Sequence, residues 1–148
     1  MSTSSQASAS LGASPSRNKT RITLRSAMEL LGRVLLMSLF LLSGLGKIGA
    51  PAATASYMAS AGVPGALLPM VIAVEVLGSI AIILGWQTRA VSLLMAGFCL
   101  ATAVLFHNNW ADQIQMVMFL KNLSIAGGFL MLAANGAAAF SLDARNAK

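Results

Sequence analysis

The sequence predicts an all-α fold: an integral membrane four-helix bundle with both termini cytoplasmic and a disordered N-terminal tail. Three observations lead there. Apolar residues make up 57% of the 148 and charged residues only 9%, whereas an average soluble domain carries about 25% charged residues. The mean hydropathy is +0.77, more than a soluble core of this length can hide. The apolar residues also fall into four runs of the length that crosses a hydrocarbon core about 30 Å thick as a helix.

Taken in order, residues 1–27 read as a disordered, basic tail. The first sixteen are rich in Ser and Ala and carry no charge, too little apolar surface to offset the entropy of ordering them. Arg17, Lys19, Arg21 and Arg25 then form a basic collar, as expected at a cytoplasmic membrane face. The first run covers 28–48. A basic region ahead of an apolar run also resembles a secretory signal, but three more runs follow, so the segment reads as an uncleaved span. Residues 49–64, with two prolines and the turn signal Gly62-Val63-Pro64-Gly65 at their end, read as a loop. The second run is 66–84. A tight turn, Gly85-Trp86-Gln87-Thr88-Arg89, leads to the third, 90–106. A polar loop from His107 to Gln113 leads to the fourth, 115–134, and residues 141–148 form a polar C-terminal tail. The membrane domain is therefore 28–140.

Lysine and arginine counts set the orientation. With the N-terminus inside, eight (Arg17, Lys19, Arg21, Arg25, Arg33, Arg89, Arg145, Lys148) lie on the inner side and two (Lys47, Lys121) toward the outer, which satisfies the positive-inside rule. Trp86 and Trp110 then fall at opposite interfaces, where amphipathic rings are favoured. The net charge of +6 is explained by this flanking pattern, and no nucleic-acid partner is expected. The composition excludes a soluble enzyme.

The fourth run carries Lys121 and Asn122, and the second carries Glu75. A charge at the middle of a membrane helix costs about 2.5–3.5 kcal/mol on insertion scales, so such residues are paired, hydrated or functional. In the four-span topology Glu75 lies about 12 Å and Lys121 about 10 Å below the outer ends of their helices, at 1.5 Å per residue. Lys47 closes the first helix and His107 follows the third, so Lys47, Glu75, His107, Lys121 and Asn122 share the outer half of the bundle. The expectation is a Glu75–Lys121 ion pair, serving either to fix helix packing or to line a functional polar pocket. Taken alone, Lys47 reads as an interface lysine that snorkels. Ser43 and Lys47 share a face of the first helix, and Lys121, Ser124 and Gly128 share one of the fourth. Glu29 and Arg33 form an i,i+4 pair at the inner rim.

Several chemistries find no support. The lone His107 supplies no metal-ligand cluster, so no metal is expected. The single Cys99 permits no internal disulfide and reads as a packing residue. There is no P-loop, dinucleotide-binding glycine pattern or nucleophile motif.

The stretches Gly32-Arg33-Val34-Leu35-Leu36, Ser43-Gly44-Leu45-Gly46-Lys47, Glu75 with Gly78, Ala101 to His107 and Phe119 to Gly128, in this order, resemble the DoxX family over residues 33–143. The resemblance implies a small four-helix protein of the prokaryotic cytoplasmic (inner) membrane. It carries the family's charged motif residues onto Lys47, Glu75, His107, Lys121 and Asn122. Ser79 stands where the family commonly has a glycine. The family is named after a subunit linked to quinone-coupled oxidoreductases. The resemblance thus implies an accessory, quinone- or thiol-linked subunit of a membrane redox assembly, with quinone as the only cofactor suggested and a redox protein as partner. The alternative is a non-enzymatic scaffold or small-solute pathway whose buried Glu/Lys pair is structural. Small-residue faces permit homo-oligomers, and whether the protein is an enzyme stays open.

Overall fold

The computed structural model describes residues 15–146, and all regular structure among them is helical. The helices are α1 (Pro15–Gly49), α2 (Pro51–Ser60), α3 (Leu68–Leu84, entered through a 3-10 turn at Gly65–Leu67), α4 (Thr88–Phe106), α5 (Gln113–Asn135) and α6 (Leu142–Asn146). Segments of α1, α3, α4 and α5 are long and apolar enough to cross a membrane: Thr23–Gly49, Gly65–Leu84, Thr88–Phe106 and Gln113–Asn135. These are the four spans expected. They run alternately up and down, with α1 lying along α3 and α4 along α5.

The layer between the helices is small: Met37, Phe40, Ile82, Met95, Cys99 and Phe129 are its largest buried members. Phe40 holds its centre, with ring centroids 5.6 Å from Phe129 and 6.5 Å from Phe98. The remaining apolar side chains, such as Leu35, Leu42, Leu77, Leu94, Leu123 and Met131, point outward and are exposed on the bundle surface. A surface this apolar is soluble only in lipid.

Three expectations about the connections need correction. α1 begins at Pro15 rather than near residue 28, so residues 15–27 are helical and not part of a tail; residues 1–14 lie outside the described residues. The segment after α1 is not a loop but contains α2. Pro51 sits in its first turn, where a missing N–H costs nothing and φ is already helical, and alanines carry it on. The chain then reverses at Gly62, whose φ is +74°.

The third correction is at the C-terminus, where the polar tail folds back as a strap. The Asp143 carboxylate accepts hydrogen bonds from the backbone N–H of Gln87 and Thr88, both 2.8 Å, so it caps the start of α4 from 55 residues away. Burial alone would raise the Asp143 carboxyl. The Thr88 hydroxyl beside it, these two backbone N–H groups and the nearby Arg33 guanidinium together hold it below its ordinary value of 3.8. Arg33, 2% exposed, donates from Nη1 to the carbonyls of Ile82 and Ile83, each at 3.1 Å, and from Nη2 to that of Phe140 at 2.5 Å. One guanidinium thereby takes up the Ile83 carbonyl, shares that of Ile82 with the Gly85 N–H, and fastens the strap to the end of α3. Glu29, the i,i+4 partner expected for Arg33, lies 3.5 Å from its Nε and also accepts from the Ala138 N–H at 2.6 Å. The strap can press this close because Gly85, at φ +67°, has no side chain to collide with Ser141 and Arg33.

Candidate functional site

The opposite end of the bundle is hollow. A cavity of about 460 Å³ opens there among α1, α3, α4 and α5, with α2 over it. Each element contributes to its lining: Ser43 and Lys47 from α1, Tyr57 and Met58 from α2, Glu75 from α3, Phe98, Thr102 and Phe106 from α4, and Lys121 and Asn122 from α5. His107, at the C-terminal cap of α4, completes it. All five residues singled out from the sequence thus border one space.

Their pairing is not the one expected. Glu75, with its side chain 5% exposed, is bound by Lys47 and not by Lys121. Lys47 Nζ donates to both carboxylate oxygens, at 2.9 and 2.8 Å, and to Ser43 Oγ at 2.6 Å. Ser43 Oγ donates in turn to Glu75 at 3.2 Å. The three groups close a ring in which each charge is matched and both carboxylate oxygens are engaged, the condition under which a buried ion pair is tolerated. Lys47 is therefore no snorkelling residue.

The reason is which helix lies against α3. A Cβ on Gly44 would stand 2.7 Å from Val76 and 3.2 Å from the Glu75 Cβ. This bare position brings α1 close enough for Ser43 and Lys47 to reach the acid. One turn further along α3, Ser79 donates to the Glu75 carbonyl of its own helix. The Met37 carbonyl of α1 lies 3.5 Å from the same hydroxyl, so this buried side chain is satisfied mainly within its own helix.

Lys121 faces the cavity from the other side. Among the described residues its Nζ has one hydrogen-bond partner, the thioether of Met118 at 3.1 Å. Asn122, 9% exposed, donates to the Met118 carbonyl at 3.0 Å, which ties its amide to the preceding turn of α5. His107 Nδ1 and Gln115 Oε1 are hydrogen-bonded at 2.8 Å. The start of α5 is fixed by Asp112, whose carboxylate accepts from the N–H groups of Ile114 at 2.8 Å and Gln115 at 3.3 Å.

The sequence reading missed the aromatic part of the site. Tyr57 stacks on Phe106 with centroids 5.4 Å apart, so α2 covers the cavity mouth. Phe98, Thr102, Leu105 and Phe106 all line it, at the i, i+4, i+7, i+8 spacing of one helix face, which was the available signal. The result is an apolar chamber with a matched ion pair on one wall and an ammonium group on another.

Comparison with known proteins now bears on this arrangement. The family model described as DoxX matches residues 28–108, more than half of the chain. The chain belongs to the DoxX family. The matched segment carries Lys47, Glu75 and His107, while Lys121 and Asn122 lie beyond it. Inner membrane protein YqjF of Escherichia coli (strain K12) is 49% identical over 114 residues, covering 77% of this chain and 88% of that protein. Inner membrane protein YphA of the same organism is 40% identical over 128 residues, covering 82% and 91%. No solved structure is significantly similar. With these relatives and four spanning helices, this DoxX-family chain is a multi-pass protein of the inner membrane, in contact with the lipid bilayer.

Proposed function

We propose that this protein is an accessory subunit of a membrane redox assembly, and that its cavity receives the head group of a quinone. The observation that carries the reading is the chamber itself: aromatic walls from Phe40, Phe98 and Phe106 beside the Lys121 ammonium. A quinone ring would stack on the walls while Lys121 donates to a carbonyl oxygen. The Lys47–Ser43–Glu75 ring would serve as the proton reserve, and His107, at the end of α4, as the link to water. Under this reading the cavity end faces outward, the termini are cytoplasmic, and electrons arrive from a redox-protein partner. The test is saturable binding of a short-chain quinone to the purified protein in lipid. Binding that is lost in Lys121→Ala supports the reading, and absence of any saturable binding ends it.

One observation favours a second reading. The Lys47–Glu75 pair is complete without a ligand and joins α1 to α3. In a scaffold or small-solute pathway, alone or as a homo-oligomer, that pair would be structural and the cavity incidental. Cross-linking in native membranes separates the two: capture of an oxidoreductase favours the first, and a chain that captures only itself favours the second.

A further inference from the structure

We propose that the cavity takes a lipid-soluble molecule carrying a single negative charge, held head-first against Lys121. The proposal rests on reading the cavity as a ligand site, but not on the ligand being a quinone. It follows from the charges that line the chamber, which are Lys47, Glu75 and Lys121. The first two cancel: Lys47 engages both oxygens of Glu75 at 2.9 and 2.8 Å, and Ser43 fills a further lone pair. Lys121 is left with a thioether, Met118 Sδ at 3.1 Å, as its hydrogen-bond partner among the described residues. The lining thus carries one net positive charge, on a lysine that is itself exposed, beside aromatic and aliphatic side chains that strengthen the attraction of opposite charges relative to bulk water.

That surplus sorts the occupants. A cation is refused, because the one carboxylate is already engaged on both oxygens. A dianion leaves a charge over in an apolar chamber. A neutral molecule leaves the ammonium unmatched. A monoanion balances the lining, and its apolar body meets Phe40, Phe98, Phe106 and Met58. At about 460 Å³ the space lies within the range of small-molecule pockets and suits a bicyclic aromatic or a short acyl chain. The ligand class is therefore an aryl or alkyl carboxylate, or another singly charged head on such a body.

The experiment uses the full chain in nanodiscs of zwitterionic lipid, with empty discs subtracted. Calorimetry compares 2-naphthoate with the isosteric neutral 2-naphthamide. The carboxylate is expected to bind at least tenfold more tightly. Lys121→Gln brings the two constants together, and Lys121→Arg keeps most of the preference. Equal binding of the two compounds by the natural protein overturns the proposal, as does a preference that survives Lys121→Gln, or failure of both to saturate. The comparison in the natural protein decides even if a variant does not fold. Neutral 1,4-naphthoquinone, titrated alongside, separates the two readings. If it fails to bind while the naphthoate preference holds, only the quinone reading falls. If it binds and the preference is absent, only the monoanion falls.

Discussion

The two ends of this bundle solve the same problem, a cation among apolar helices, in opposite ways. At one end Arg33 is held by backbone carbonyls, one of them from the strap that returns from the C-terminal side. Its charge is spent on holding chain segments together, and the guanidinium fork suits that role because it reaches several oxygens at once. At the other end two lysines border a cavity that holds one carboxylate. Lys47 takes it, and Lys121 stands over a cavity. The first end commits its cation to the chain itself, although a cavity borders it too; the second keeps a charge in reserve for something else. Position alone does not make a membrane cation functional. What distinguishes the two ends is whether the chain supplies the counter-groups.

The comparison breaks most easily at the Arg33 end. Arg33→Met takes the donor from the Ile83 and Phe140 carbonyls and frees the strap, and should cost about 3–5 kcal/mol, the range for removing one partner from a buried charged network. Denaturation of the purified protein in mixed micelles measures it; a loss below 1 kcal/mol would mean the strap does not depend on this residue. At the hollow end the largest effect is expected from Glu75→Gln, about 2–3 kcal/mol, since Lys47 keeps partial access to solvent. Combined with Lys47→Met the loss should be smaller than the sum of the singles, whereas Glu75→Gln with Lys121→Met should be additive. Coupling to Lys121 in place of Lys47 would reverse the assignment of the pair.

Gly44→Ala should cost about 1–3 kcal/mol through forced separation of α1 and α3, read from the same unfolding curves. The smallest effect belongs to Asp143. Its folded-state carboxyl lies below 3.8, so its contribution is present above that pH and lost as pH falls through the lowered value. The amide proton shifts of Gln87 and Thr88 should titrate below pH 3.8 and fall silent in Asp143→Asn. Loss of this cap should cost about 1 kcal/mol near neutrality.

What could be read from the residues alone was height. Hydropathy marks where a span starts and stops, and a rise of 1.5 Å per residue then gives depth. That is why Lys47, Glu75, His107, Lys121 and Asn122 were expected in one layer. Azimuth was not legible. Lys47 and Lys121 both reach the layer of Glu75, and the choice between them depends on which helix abuts α3. The deciding signal was Gly44 beside Ser43 and Lys47, a bare position flanked by two polar groups on one face. It passed for a helix ending because a terminal lysine so often snorkels. The strap was hidden for another reason. A polar five-residue segment looks like a tail until the helix start it caps, 55 positions earlier, is beside it in space, and nothing local records that proximity. α2 was hidden by the prolines around it, which signal turns in most contexts: Pro51 here begins the helix, and Pro64 follows its end.

The two tryptophans of the sequence fall one at each end: Trp86 in the turn between α3 and α4, and Trp110 between α4 and α5, against Phe119 at 4.7 Å. The nineteen residues of α4 separate them by about 28 Å at the helical rise. The molecule therefore carries its own pair of optical reporters. Trp110 stands at the chamber's end of the bundle, outside the lining itself, and emission from Trp86, retained alone in a Trp110→Phe variant, supplies the internal baseline against which any signal from that end can be judged.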